Sequence, residues 1–264
     1  MISSIYDPLG IAGPYLLEGK KILQQICVEK VWDDPLSDVQ IKMWEKWKHD
    51  IQLLESFRVD RCMHPINFNQ IVEASIHHFA DASCDSYGQV SYLRLVNEVN
   101  QISCKIIMAK SRVAPAKRPT VPRLELTASV LSGKVSKFLK EEFDFPIDEE
   151  FFWTDSQVVL AYIQNETKRF HLFVANRVKL IRESTQLGQW KYVPSKLNPA
   201  DDATRGLKFS TSEKNERWVN GPEFLYTPKE EWPTQPTSLT ISNEDKEIKK
   251  MKCNTAVVLS LIHI

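Results

Sequence analysis

Four acidic residues occupy positions from which carboxylates could act together: Asp81 in Phe79-Ala-Asp-Ala-Ser83, Glu125 in Pro122-Arg-Leu-Glu-Leu126, Asp155 in Phe152-Trp-Thr-Asp-Ser156 and Asp201 in Asn198-Pro-Ala-Asp201. Clustered carboxylates repel one another, and burial raises the cost, so divalent cations are what make such a group tolerable. Mg²⁺ takes hard oxygen ligands and keeps several waters, so a few carboxylates plus substrate phosphates suffice to hold it. Two such ions, about 3.5–4 Å apart, stabilise the attacking and leaving oxygens of phosphodiester cleavage, and no Ser, Cys or His nucleophile is needed. Two Mg²⁺, replaceable by Mn²⁺, are the expected cofactors. Each acid also has a purely structural reading. Asp81 before Ala-Ser can form a turn, Glu125 in a first helical turn suits the helix dipole, and Asp155 and Asp201 can cap helices.

The elements that must carry these acids are read from periodicity. Runs at 71–80, 89–96 and 101–109 read as three strands of a β-meander, with Tyr87-Gly88 as a turn signal. Pro122 opens a helix whose stripe is Leu124, Ala128, Leu131, Val135 and Phe138. Phe151–Thr154 is a short apolar strand suited to burial on both faces. Ser156 caps a helix over 157–164, and Phe170, Val174, Val178 and Ile181 mark another that Gly188 ends. A strand over 189–193 and a helical turn from Pro199 complete the order β-β-β-α-β-α-α-β-α. In this order Asp81 and Asp155 fall at strand ends, and Glu125 and Asp201 fall on helices that can lie over them.

Ahead of this pattern lie two helices. Pro14 starts one, with Leu16, Leu17, Ile22, Leu23 and Ile26 as its apolar residues. The second begins at Ser37, with Gln40 at capping-box spacing and Val39, Met43, Trp47, Ile51 and Leu54 on one face. The expected organisation is a helical connection over 1–62, an α/β domain over 63–207, and an extended arm with a disordered tail over 208–264. The segment Trp218–Trp232 reads as an arm, and 234–252 is polar enough to be disordered.

The chain has 264 residues, with 34 Lys plus Arg against 34 Asp plus Glu. The zero net charge hides blocks. Lys105, Lys110, Arg112, Lys117, Arg118 and Arg123 occur without an acid between Val99 and Leu124. Lys168, Arg169, Arg177, Lys179, Arg182, Lys191 and Lys196 stand against Glu183 alone between Thr167 and Asn198. Alternating blocks can make a polyanion groove beside a carboxylate centre, or an ordinary solvated surface. Lys110 and Arg112 are candidate phosphate contacts, and Asn176 and Arg177 lie on a helix that could face a nucleic acid. The five cysteines (Cys27, Cys62, Cys84, Cys104, Cys253) are scattered and include no C-x-x-C, which argues against a disulfide framework or zinc knuckle. Cys84, Cys104 and Trp190 read as core or sheet residues. The adjacent His77 and His78 would point to opposite faces of a strand and cannot share a metal. The longest apolar run, Ala256–Ile264, is too short to span a bilayer. The N-terminus lacks a signal-peptide pattern, so an intracellular, unsecreted protein is expected.

The collinear runs Ser4-Ile-Tyr-Asp-Pro-Leu-Gly10, Phe79-Ala-Asp-Ala-Ser83, Ala109-Lys-Ser-Arg-Val-Ala-Pro115, Val121-Pro-Arg-Leu-Glu-Leu126, Trp153-Thr-Asp-Ser156, Phe173-Val-Ala-Asn-Arg-Val178, Val193-Pro-Ser-Lys-Leu-Asn-Pro-Ala-Asp201 and Asn220-Gly-Pro-Glu-Phe224 resemble the ribonuclease H-like region in the pol polyprotein of BEL/Pao-type LTR retrotransposons, a region known as Pao retrotransposon peptidase. The resemblance implies a ribonuclease H-like mixed five-stranded sheet flanked by helices. It implies cleavage of the RNA strand of RNA–DNA hybrids during reverse transcription, with Asp81, Glu125, Asp155 and Asp201 as metal ligands. It also implies a cytoplasmic, virus-like-particle setting with nuclear access. The partners would be the hybrid, a reverse transcriptase and other pol-encoded domains, with no membrane. No Tyr-x-Asp-Asp polymerase motif occurs, so the chain reads as a fragment or a domesticated copy, and an inactive nucleic-acid-binding relic is the alternative. An aspartic peptidase would need Asp-Thr-Gly or Asp-Ser-Gly, whereas Asp85-Ser and Asp155-Ser continue into Tyr and Gln. Two features depart from the pattern. No histidine lies between Val193 and Asp201, and Asp202 follows where an apolar residue is usual. Either Asp201 or Asp202 could be the ligand, and motif position favours Asp201.

Overall fold

The computed structural model describes residues 2–31, 33–60, 62–117, 119–208 and 212–249. Arg118, Cys253 and the run Ala256–Ile264 lie outside the described residues. Strands β1 (Ile71–Ala82), β2 (Ser86–Asn97), β3 (Ile102–Val113), β4 (Glu149–Thr154) and β5 (Trp190–Tyr192) form one sheet in the order β3-β2-β1-β4-β5. The meander β1-β2-β3 is antiparallel, and β4 and β5 join it in parallel. This is the expected mixed five-stranded α/β sheet.

Side-chain alternation divides the core. On one face Phe79, Tyr92, Ile106 and Trp153 are buried under α1 (Gly13–Glu29), α6 (Ala200–Arg205) and α7 (Ser212–Asn220). On the other face Ile76, Leu93, Leu95 and Ile107 pack beneath Val135 and Leu139 of α3 (Val121–Glu142). Phe152 and Trp190 continue this second layer under α4 (Gln157–Gln164) and α5 (Leu172–Ser184). The buried stripe of α3 closes on Leu139 and leaves Phe138 exposed, because 3.6-residue steps from Leu131 and Val135 reach 139.

The lead-in helices are clamped to the domain. Helix α2 (Asp38–Ile51) starts with the expected capping box, Ser37 accepting from the Gln40 amide and Gln40 accepting from the Ser37 amide. Its expected apolar face is only partly used. Trp47 is buried against α1, while Val39 and Met43 are exposed. The ring of Trp47 lies where a Cβ on Gly19 would be, 2.5 Å from the nearest ring atom, so glycine there lets α2 lie close on α1.

Several boundaries differ from the sequence reading. Tyr87 and Gly88 lie inside β2, paired with Ala82 and Asp81, and the reversal occurs over residues 83–86. Cys84 is therefore an exposed turn residue rather than a core one, whereas Cys104 and Trp190 are buried as expected. Helix α5 ends at Ser184, ahead of Gly188, with the Thr185 hydroxyl donating to the Ile181 carbonyl at 2.7 Å. The expected extended arm includes α7, whose Trp218 is fully buried and donates from its indole to the Ile11 carbonyl at 2.8 Å. Residues 234–249, expected to be disordered, run along α4 and α5 and are held by side-chain hydrogen bonds and the apolar contacts of Leu239 and Ile241. Composition underestimated this segment because its partners are far away in sequence. No helix among the described residues is long and apolar enough to cross a membrane.

Candidate active site

The elements that carry the four acids end on one side of the sheet, where β1 and β4 finish next to each other, but their carboxylates do not close into a three-ligand cluster among the described residues. The parallel register pairs Ala80 with Thr154, so Asp81 and Asp155 are the next residues on neighbouring strands. Asp81 is buried, only 7% exposed, and its ladder partner is Gly88. A Cβ on Gly88 would stand 3.0 Å from the Cβ of Ala203 and 2.8 Å from the Lys110 carbonyl oxygen. Glycine there lets α6 settle on β2 and carry Asp201 to the strand end.

Helix α6 is pinned to this place by three contacts. The Asn198 amide donates to the Ala80 carbonyl at 3.1 Å, while its oxygen accepts from the Ala200 amide at 3.1 Å. The Thr204 hydroxyl donates to Asp81 Oδ2 at 2.5 Å. The Thr204 carbonyl accepts from Ser86 and, at 3.3 Å, from Ser83 of the β1–β2 turn. These contacts explain the residues ahead of Asp201 in the motif. Sequence reasoning did not single out Thr204 or Ser195. The available signal for Thr204 was a hydroxyl three residues after Asp201, on the same helical face.

Glu125 reaches the site from the first turns of α3. Its Oε2 accepts from the Ser156 hydroxyl at 2.6 Å, and the same hydroxyl caps α4 by accepting from the Val159 amide at 3.3 Å. One serine thus links the starts of α3 and α4 to the end of β4. Asp155 Oδ2 accepts from the Ser195 hydroxyl at 2.5 Å, whereas Asp155 Oδ1 is buried with no hydrogen-bond partner among the described residues. Asp201 pairs with Arg205 one turn along α6, at 2.5 Å.

Charge couples Asp81 to Asp155 and Asp201, and Glu125 to Asp155. Burial pushes the Asp81 carboxyl up to about 7; the Thr204 hydrogen bond opposes the shift, and the charges of Asp155 and Asp201 add to it. Burial likewise raises Glu125, against the Ser156 hydrogen bond, with Asp155 adding to the rise. Asp202 belongs elsewhere. It is buried on the α7 side and accepts from Arg217 Nη2 at 2.5 Å and Nε at 3.1 Å. Of the two neighbours, Asp201 faces the acidic centre and Asp202 anchors α7.

The donor set is all carboxylate, which suits a hard divalent cation, and the orphaned Asp155 oxygen is an acceptor that such an ion or its water would satisfy. Among the described residues no three acidic, histidine or cysteine side chains stand close enough to ligate one ion. Each carboxylate instead has a local partner: Thr204, Ser156, Ser195 or Arg205.

A family model described as the Pao retrotransposon-like RNaseH-like domain matches residues 1–156, more than half of the chain, including Asp81, Glu125 and Asp155. The chain belongs to this family. No curated protein matches this Pao-type domain. Solved structures that overlap it include RNase H1 from the halophilic archaeon Halobacterium salinarum NRC-1, 16% identical with a TM-score of 0.32 over 48% of this chain and 90% of that one. LC11-RNase H1 in complex with an RNA/DNA hybrid is 12% identical with a TM-score of 0.34, over 50% and 93%. The Prototype Foamy Virus protease-reverse transcriptase is 12% identical with a TM-score of 0.24, over 66% of this chain and 26% of that one.

The candidate nucleic-acid residues of the Pao-type domain fall into two pairs. Lys110 and Arg112 lie on β3, flanking Ser111, which pairs with Gly88 opposite Asp81. Lys110 Nζ donates to the Pro8 carbonyl at 3.1 Å, and Arg112 is exposed. Asn176 is exposed on α5, and Arg177 stacks on Phe173 at 3.4 Å and donates to the Thr127 hydroxyl at 3.1 Å, two residues past Glu125. The two pairs are not brought together; they flank the carboxylates from β3 and from α5.

Proposed function

We propose that this Pao-type domain hydrolyses the RNA strand of RNA–DNA hybrids with divalent cations, within a reverse-transcribing element protein. The observation that supports this most strongly is that Asp81 and Asp155 end neighbouring parallel strands beside the helices that carry Glu125 and Asp201, with a buried Asp155 oxygen that has no hydrogen-bond partner among the described residues. Asp81, Glu125, Asp155 and Asp201 would hold Mg²⁺ or Mn²⁺. The ions, when bound, supply Lewis-acid stabilisation to the attacking and leaving oxygens. The chain's own contribution is rigidity. Asn198 and Thr204 fix α6, and Ser156 fixes Glu125, so the carboxylates are oriented before substrate arrives. Lys110, Arg112, Asn176 and Arg177 would contact the hybrid's phosphates and sugars, with 2′-hydroxyl contacts selecting RNA.

Hybrid carrying a labelled RNA strand tests this. Cleavage is expected with Mg²⁺, absent in EDTA, and reduced by about 100-fold or more in Asp155→Asn. Cleavage that persists unchanged in EDTA overturns the cation-dependent mechanism. A second reading, a hybrid-binding relic without turnover, is favoured by the local partner held by each carboxylate and the absence of a three-ligand cluster among the described residues. Binding without cleavage at every Mg²⁺ concentration would select it.

A further inference from the structure

The described C-terminal segment returns to the end of the fold that carries Glu125, with Glu244, Asp245 and Glu247 set among Lys246 and Lys249. Beyond Trp232 the chain meets the free edge of β5, where the Gln235 side chain accepts from the Tyr192 amide at 2.7 Å and donates to the Tyr192 carbonyl at 3.1 Å. Lys168 Nζ then donates to the Ile241 carbonyl at 2.5 Å and to Asn243 Oδ1 at 2.8 Å. The Tyr162 hydroxyl donates to Asp245 Oδ2 at 2.7 Å. Glu247 ends the run. Its two carboxylate oxygens accept from Arg123 Nε at 2.6 Å and Nη2 at 3.0 Å, and its carbonyl accepts from the His171 amide at 2.8 Å.

Arg123 is not an isolated cation. Its guanidinium lies 4.8 Å from the centre of the Phe173 ring, which also carries Arg177 at 3.4 Å. Two guanidiniums therefore share one aromatic ring, at the start of α3 and two residues before Glu125. A guanidinium fork that meets a carboxylate in two parallel bonds has the geometry that also meets a phosphate. The Glu247 side chain is 10% exposed and that of Arg123 36%, so the acid is covered while the arginine's other side opens to solvent.

We propose that residues 243–249 form a displaceable strap that occupies, through the Glu247 carboxylate, a phosphate-binding site built from Arg123 and Arg177, and that a nucleic-acid backbone takes its place. The inference rests on the hybrid-binding reading above and adds a site and its internal competitor. The segment is suited to release. Its backbone pairs with the domain at an isolated bridge between Phe170 and Ile248, and its remaining hold is side-chain polar contacts plus Leu239 and Ile241. A tethered competitor acts at high effective concentration, so the strap lowers apparent affinity by the fraction of time it is seated.

The test uses the full chain in EDTA, with hybrid binding read by fluorescence anisotropy across a salt series. Glu247→Gln is expected to tighten binding by about fivefold to tenfold and to steepen the salt dependence by about one phosphate contact. Arg123→Ala is expected to weaken binding, and the double variant to show no gain from Glu247→Gln. In the wild-type chain, hybrid should speed hydrogen exchange at the His171 and Lys249 amides, which donate to Glu247 and Arg169. Wild-type cleavage with Mg²⁺, together with Glu247→Gln binding no more tightly and exchange unchanged, overturns the strap alone. No binding by any variant overturns the strap and the hybrid reading together.

Discussion

At the scale of single residues, adjacent aspartates have opposite duties. Asp81 is a buried acid raised from 3.8 to about 7, chiefly by burial and further by Asp155 and Asp201. The folded chain binds that proton more tightly than the unfolded chain. The stability from this group is therefore fully present below 3.8 and is lost as pH rises through about 7. Asp81→Asn is expected to abolish cleavage and to raise stability by about 1–2 kcal/mol at pH 8, read by denaturant unfolding. An Asp81→Asn chain less stable than wild type at pH 8 would contradict the electrostatic account. Asp202 is raised by burial too, against the Arg217 hydrogen bond and charge, but removing its carboxylate would leave the partly buried Arg217 without this partner. Asp202→Asn is expected to cost about 1–3 kcal/mol, whereas Asp201→Asn costs cleavage with little change in unfolding. Reversal of that contrast would reassign the ligand to Asp202.

Among the elements, two glycines set the distances on which the site depends. Gly10 has φ +74°, and a Cβ there would fall 1.8 Å from the Ala109 carbonyl oxygen. The neighbouring Leu9 carbonyl accepts from the Ala109 amide at 2.8 Å, so this loop covers part of the edge of β3. Gly10→Ala is expected to destabilise by at least about 2 kcal/mol, seen as a lower unfolding midpoint. Gly88→Ala is expected to act on the proposed cleavage instead. By pressing on Ala203 it would lift α6 and displace Asp201, and misplacement of about 1 Å is enough for a loss near 100-fold in rate. Hybrid cleavage at the wild-type rate by a folded Gly88→Ala chain would show that α6 need not sit so close.

For the molecule as a whole, a polar network behind the site ties strands to helix. His78 is fully buried, with Nδ1 2.7 Å from Ser91 Oγ and Nε2 3.0 Å from Glu150. Glu150 also accepts from Ser136 at 2.6 Å and pairs with Lys140 at 2.7 Å, so β1, β2, β4 and α3 meet there. Burial pushes Glu150 up, but the hydrogen bond and charge of His78, with the hydrogen bonds from Lys140 and Ser136, outweigh it and bring the group down to about 2. Burial lowers His78, while its hydrogen bond to Glu150 and that group's charge oppose the shift. A depressed carboxylate contributes stability above its unfolded value of 4.5 that is lost as pH falls toward about 2. Unfolding followed from pH 6 to pH 2 should therefore show a steep acid loss that is shallower in Glu150→Gln. Equal slopes for the two chains would remove Glu150 from the account.

Much of this architecture was legible locally. The Ser37–Gln40 box, the Ser156 cap, Pro122 at the start of α3 and the order of nine elements all depend on neighbours a few residues apart, which a linear reading contains. The placement of Asp81 and Asp155 in one group at neighbouring strand ends was legible as well, because element order limits how the ends can meet, whereas a cluster of four carboxylates within reach of one ion is not formed among the described residues. Tertiary structure alone decided which of Asp201 and Asp202 faces that group, that Tyr87-Gly88 continues a strand, that Trp218 is core, and that Glu247 reaches Arg123. The reason is physical. Caps and periodicity are interactions within one turn or strand, whereas burial and pairing join residues more than a hundred positions apart, as Thr204 joins Asp81, and those energies exist only once the sheet has closed.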